Sequence, residues 1–306
     1  MNTQVKGSTF GGAFLIAGCC IGAGTLALPI ATGFSGFLPA TLMFICGWFF
    51  MASTGLLLLE TVLWFGKEVN IPSIAQATLG FTGKAITWGT FLFLFYSLMI
   101  AYISGGSAVF TSTLSQIFST PMPTWIGSLL FIFLFGIALF LGTRVVDTCN
   151  RILVLGLVIT YALFVIIGAP HLNTANLSGG RWDKMCFTLP VILTAFGFHQ
   201  IVPTLATYMQ RDARALKRAI IIGSFLPFLF YVVWEALILG IVPMEGPNGI
   251  LDTMHKGLPV TSALHHAMSH SYLDVIVQYF AFFALTSTFL SVALGFVDFL
   301  ADGLQV

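Results

Sequence analysis

Gly18-Cys19-Cys20-Ile21-Gly22-Ala23-Gly24-Thr25-Leu26-Ala27-Leu28-Pro29 lies in the middle of one long apolar run, and Thr194-Ala195-Phe196-Gly197-Phe198-His199-Gln200-Ile201-Val202-Pro203-Thr204 lies in the middle of another. Glycine loosens a helix and proline removes a donor and clashes with the preceding turn, so each run is expected to break near its centre. The chain around them is suited to lipid rather than water. Charged residues are 8% and hydrophobic residues 58% of the 306, and mean hydropathy is +0.98. Ordinary soluble domains carry roughly 25% charged residues. A net charge of +1 points to neither a nucleic-acid nor an acidic partner.

A span needs roughly 20 mostly apolar residues. Eight such runs lie near 9–33, 38–65, 84–110, 124–142, 151–169, 186–209, 219–242 and 273–299, separated by breaks such as Lys67-Glu68 with Pro72, Pro121 with Pro123, Arg144 to Arg151, and Pro243 to Pro259. The expected fold is all-α and polytopic. With the N-terminus inside, inner segments hold Lys6, Lys67, Lys84, Arg144, Arg151, Arg211, Arg214, Lys217 and Arg218, and outer ones only Arg181, Lys184 and Lys256. That bias fixes the orientation and puts both termini in the cytoplasm. The run before the first charge-rich break is too long for a cleavable signal. Cys19, Cys20, Cys46, Cys149 and Cys186 form no CxxC pair and read as packing residues. His255, His265, His266, His270 and Asp274 fall in or after an outer loop expected to be solvated, and neither a metal nor an organic cofactor is expected.

The sixth run crosses opposite to the first. Two interrupted helices in inverted orientation are the sequence pointer to an inverted-repeat transporter site. Where a helix opens, amide and carbonyl groups lose their partners. The positive end of a half-helix then suits a carboxylate, and freed carbonyls suit a cation or an ammonium. Such backbone is tolerated at that depth only beside protein or a cavity. The rival reading of Gly18, Gly22 and Gly24 is close helix packing.

These residues, together with Ala101-Tyr102-Ile103-Ser104-Gly105, Leu57-Leu58-Leu59-Glu60 and Leu294-Gly295-Phe296-Val297-Asp298, resemble the hydroxy and aromatic amino acid permeases over essentially the whole chain. The resemblance implies import of aromatic amino acids, tyrosine and/or tryptophan, by proton symport with alternating access, in a bacterial inner membrane. It implies the broken-helix fold, with a single domain over 1–306, a first repeat near 9–169 and a second near 186–299. That family has about eleven spans, so eight leave the second repeat incomplete, whether as a fragment or a shortened product. A serine/threonine carrier and a non-transporting remnant are the alternatives. Without HExxH, GxSxG, a P-loop or a Cys/His cluster, the chain is not read as an enzyme.

On this reading Gly22, Ala23, Gly24 and Thr25 offer backbone to the substrate carboxylate. Phe196, Gly197 and Phe198 supply the facing backbone and an aromatic surface, and Tyr102 lines the pocket or packs. Ionisable side chains at membrane depth are the candidates for proton coupling: His199, Glu60, Glu235 and Asp298. The rival readings are an internally bonded His199, a Glu60 paired with a basic loop residue, and an interfacial Asp298. Sodium coupling would draw on Thr286, Ser287 and Thr288 instead, but the resemblance favours H+.

Overall fold

The computed structural model describes residues 7–66, 69–258, 260–267 and 271–304. Lys6, Lys67, Glu68, Pro259 and His270 lie outside the described residues. Among those described, regular structure is helical throughout. The helices are α1 (Thr9–Cys20), α2 (Ala23–Gly33), α3 (Phe37–Trp64), α4 (Ile71–Ile117), α5 (Thr124–Phe140), α6 (Thr143–Gly168), α7 (Leu189–Ala195), α8 (Val202–Tyr208), α9 (Ala213–Ile241), α10 (Ile250–His255), α11 (Val260–Ala267) and α12 (Ser271–Leu304).

Six stretches are long and apolar enough to cross a bilayer, and the pair α1–α2, bent by 52°, makes a seventh. The 17-residue α5 sits at the lower limit of spanning length. The molecule is a multi-pass membrane protein. Its outward faces are apolar: Phe10, Phe49, Phe93, Phe133 and Phe140 are all exposed, the last to 91%. In water this would be a liability, but against acyl chains it is the favourable surface.

The helices outrun the apolar stretches read from sequence. α9 begins six residues early because Asp212 caps it, its carboxylate accepting from the Ala215 amide at 3.1 Å. α4 begins at Ile71, with Asn70 accepting from the Ile71 amide, and is interrupted at Gly80, whose φ of 71° a side-chain-bearing residue would resist. The segment after α9, expected as a solvated loop, instead folds into α10 and α11. Ile250, Val260, Ala263 and Leu264 seat these helices in the same apolar cluster as Trp234 and Phe280. The connection from 169 to 188 is also fastened: the Arg181 amide donates to Ser35 O at 2.8 Å, and the Asn176 side chain to Gly240 O at 3.0 Å.

α12 is the central span, 61% of its apolar window being buried against 11% for α4. It packs on α6, α4 and α1. α9 forms the other spine and lies against α1 and α3. The α1–α9 approach is close: a side-chain carbon at Gly223 would lie 2.6 Å from the Ala13 carbonyl. Small residues are what permit such contact in lipid, where burying more apolar surface gains little.

One charged side chain ties two helix ends together. In the turn between α8 and α9, Arg211 donates from Nη2 to the carbonyls of Val62 (2.8 Å), Leu63 (3.2 Å) and Phe65. These are C-terminal carbonyls of α3 that no helical turn satisfies, and a cation there also meets the negative end of the helix dipole. Charged hydrogen bonds are each worth roughly 1.5–3 kcal/mol, so Arg211→Met should destabilise the protein by roughly 2 kcal/mol. Arg211→Lys should recover part of the loss, keeping the charge but not the fork. Thermal unfolding of the detergent-solubilised protein checks this; an unchanged melting temperature in Arg211→Met contradicts the tie.

Candidate functional site at two helix breaks

Both interrupted runs are broken where the glycines lie, and the breaks are in contact. α1 ends at Cys20, Ile21 and Gly22 are non-helical, and α2 starts at Ala23. α7 ends at Ala195, residues 196–198 are non-helical, and a single 3-10 turn at His199–Ile201 leads into α8. A side-chain carbon at Gly24 would lie 2.9 Å from Ala195 Cβ and 3.0 Å from its Cα, so glycine is what lets α2 rest on the end of α7. At Gly22 the same atom would collide with the Thr288 side chain of α12. Gly22 offers no side chain to cap α2, so the first amides of that helix have no side-chain partner from their cap.

The carbonyls freed at the breaks are taken up by side chains from other helices. The Tyr231 hydroxyl, on α9, donates to Cys20 O at 2.6 Å and to Ala195 O at 2.9 Å, the last residues of α1 and α7. Thr288 Oγ1 reaches Ile21 O at 3.3 Å, as well as Ala284 O at 2.9 Å within its own helix. The Gln200 amide donates to Gly197 O at 3.3 Å and to Cys19 Sγ at 3.0 Å. Thr25 Oγ1 is buried beside the Tyr231 hydroxyl.

Tyr102 is 5% exposed, among Phe131 and Leu285. The rings of Phe196 and Phe198 point into helix packing: Phe196 meets Tyr231 edge-on at 5.2 Å, and Phe198 covers Gly55 of α3. His199 stacks on Phe198 and its Nε2 lies 2.9 Å from Thr54 Oγ1.

Glu235, one helical turn beyond Tyr231, is fully buried. Its Oε1 pairs with Thr32 Oγ1, whose hydroxyl also lies 2.7 Å from Leu28 O. Oε2 has no partner among the described residues. Glu60 and Asp298 are both exposed, near the ends of α3 and α12, and neither joins the breaks. Of the hydroxyls considered for sodium, Thr288 alone bonds to a break carbonyl; Ser287 bonds within α12, and Thr286 Oγ1 is buried without a partner among the described residues.

Beside Gln200, a narrow cleft runs between α4, α8 and α12, lined by Asn70, Phe91, Phe95, Thr204, Gly295 and Phe299. Its aromatic wall is stacked: Phe95 on Phe296 at 4.9 Å, and Phe91 on Phe299 at 5.9 Å.

Sequence reading missed Tyr231 and Thr32. A signal for the first existed: Tyr231 and Glu235 are four apart in the apolar stretch 225–241 of α9, so two polar groups share one face. That face is the one turned toward the first broken span.

The tryptophan/tyrosine permease family profile matches residues 5–306. A tryptophan-specific transport protein of Haemophilus influenzae is 32% identical over 99% of this chain and 75% of its own length. One from Pseudomonas aeruginosa is 31% identical over 96% of this chain and 72% of its own. A tyrosine-specific transport system of Haemophilus influenzae is 29% identical over 97% and 74% respectively. The family consists of permeases rather than enzymes, and with a profile match along nearly its full length this chain belongs to the tryptophan/tyrosine permease family.

Proposed function

We propose that this permease imports tryptophan and/or tyrosine across a bacterial inner membrane, with proton symport and alternating access. Substrate sits where the two broken helices meet. The observation that carries this reading is the convergence of the α1 and α7 carboxyl ends on one hydroxyl. Two negative helix ends brought together repel each other, and a positive group between them is the favourable occupant. The substrate ammonium meets that requirement. The uncapped amino end of α2, at Gly22, Ala23, Gly24 and Thr25, suits the carboxylate. An aromatic side chain extends toward Tyr102, gaining burial that a serine side chain lacks.

In this reading the two breaks belong to inverted repeats, and the repeats rock against the remaining spans. On the lysine and arginine bias both termini lie inside, and the aromatic contact beside Gln200 lies toward the cytoplasmic side.

Glu235 is the favoured proton carrier. A buried carboxylate with one oxygen unpaired would be costly, whereas a neutral carboxyl donates to Thr32 Oγ1 and lets Thr32 donate to Leu28 O. Loss of the Glu235 proton would draw the shared Thr32 proton toward the carboxylate and weaken its bond to Leu28 O, coupling charge to the broken span. His199, beside the break and bonded to Thr54, is the second candidate. Glu60 and Asp298 fit interfacial roles.

Uptake of labelled tryptophan and tyrosine into vesicles with an imposed pH gradient tests the proposal. Accumulation should follow the gradient, inside alkaline. Uptake that ignores the gradient and requires sodium contradicts proton coupling; entry of serine without tryptophan or tyrosine contradicts the substrate. Glu235→Gln, a permanent mimic of the neutral carboxyl, should lose gradient-driven accumulation by tenfold or more, taking one lost decade as about 1.4 kcal/mol of coupling. It should still exchange internal for external substrate. Wild-type accumulation in that variant would remove Glu235 from the coupling.

A further inference from the structure

We propose that Tyr231 is the positioning residue of the permease: its hydroxyl holds the carboxyl ends of both broken helices in register, so that the Cys20 and Ala195 carbonyls lie within the reach of one substrate ammonium. The inference rests on the site reading above and adds the residue that sets its geometry.

Three observations support it. The first is reach. The two carbonyls come from residues far apart in the chain, and the hydroxyl bonds to both, at 2.6 and 2.9 Å. Two oxygens spanned by one oxygen-bound donor are close enough to be spanned by one nitrogen-bound donor, whose bonds have similar length. The second is necessity. Carbonyls of Cys20 and Ala195 end their helices, are buried, and point negative ends at each other, so without a donor between them they would drift apart. The third is rigidity. The Tyr231 ring is fully buried, edge-on to Phe196 at 5.2 Å and tilted against Phe44 at 6.3 Å, with Phe230 alongside, so the hydroxyl is delivered from a fixed base. Each carbonyl oxygen has two lone pairs, so it accepts from Tyr231 and keeps capacity for a ligand.

Tyr231→Phe removes one oxygen and keeps the ring packing. The native cysteines Cys19 and Cys20, buried at the break, report its opening. Two measurements are made on the full chain in detergent: equilibrium binding of tryptophan, and peptide-resolved alkylation by N-ethylmaleimide. In Tyr231→Phe the Kd for tryptophan should rise about tenfold, the loss expected for one buried hydrogen bond. Alkylation at Cys19 and Cys20 should quicken, and that at Cys149, which is remote from the breaks, should not. Tyr231→4-aminophenylalanine, which returns N–H donors to the same ring, should restore both values. An unchanged Kd, unchanged alkylation at Cys19 and Cys20, an equal rise at Cys149, or an amino variant that behaves like Phe would each overturn the proposal. If the wild-type chain binds no aromatic amino acid, the substrate reading fails, and alkylation alone decides whether Tyr231 holds the breaks.

Discussion

One phenolic proton between two carbonyls organises the centre of this protein. Helices in a bilayer must satisfy their own backbone, and here two of them end in mid-course with carbonyls exposed to each other. The Tyr231 hydroxyl takes both, Thr288 takes a third from Ile21, and Gln200 takes a fourth from Gly197. Every donor sits on a side chain reaching across from elsewhere in the bundle or across the break. The breaks are stable because of what packs around them, and the surrounding helices α9 and α12 are correspondingly the most deeply buried of the spans.

That arrangement separates two jobs. The apolar clusters along α12 and α9 provide a scaffold with aromatic contacts such as Trp234 tilted against Phe280 at 4.7 Å. The breaks provide the polar groups, in a region where water cannot compete and hydrogen bonds are strong. A zwitterion with an aromatic side chain matches both: its charged ends suit the helix termini, and its ring suits the aromatic surroundings. Membership in the tryptophan/tyrosine permease family points to the same class of substrate.

Much of this was legible in the sequence. Gly22 and Gly197 lie at the observed breaks, and Pro203 lies in the first turn of α8, because these residues act locally; Pro29 instead falls inside α2, which continues past it. The spans were legible because lipid imposes length and apolarity directly. What was hidden depended on contacts between distant segments. Tyr231 pairs with a carbonyl 211 residues away; its spacing with Glu235 marks a polar face but not the partner. The helices α10 and α11 were read as loop, since their polar faces hide the apolar residues that dock under Trp234. Phe196 and Phe198 read as an aromatic surface, yet the Phe198 ring fills the space left by Gly55 of α3 and the Phe196 ring packs edge-on to Tyr231, a complementarity visible only in three dimensions.

The central claim is that the carboxyl end of α1 holds the ammonium of an aromatic amino acid. Solid-state NMR of the membrane-embedded protein, with cysteine carbonyls labelled in carbon-13 and tryptophan labelled at its amine in nitrogen-15, addresses it directly. An N–H···O bond of about 2.9 Å places the nitrogen roughly 4 Å from the Cys20 carbonyl carbon, within range of measurable dipolar coupling. A single carbonyl signal, that of Cys20, should dephase against the bound amine. Bound tryptophan whose nitrogen dephases no cysteine carbonyl, or only those of Cys46, Cys149 or Cys186, would contradict the account.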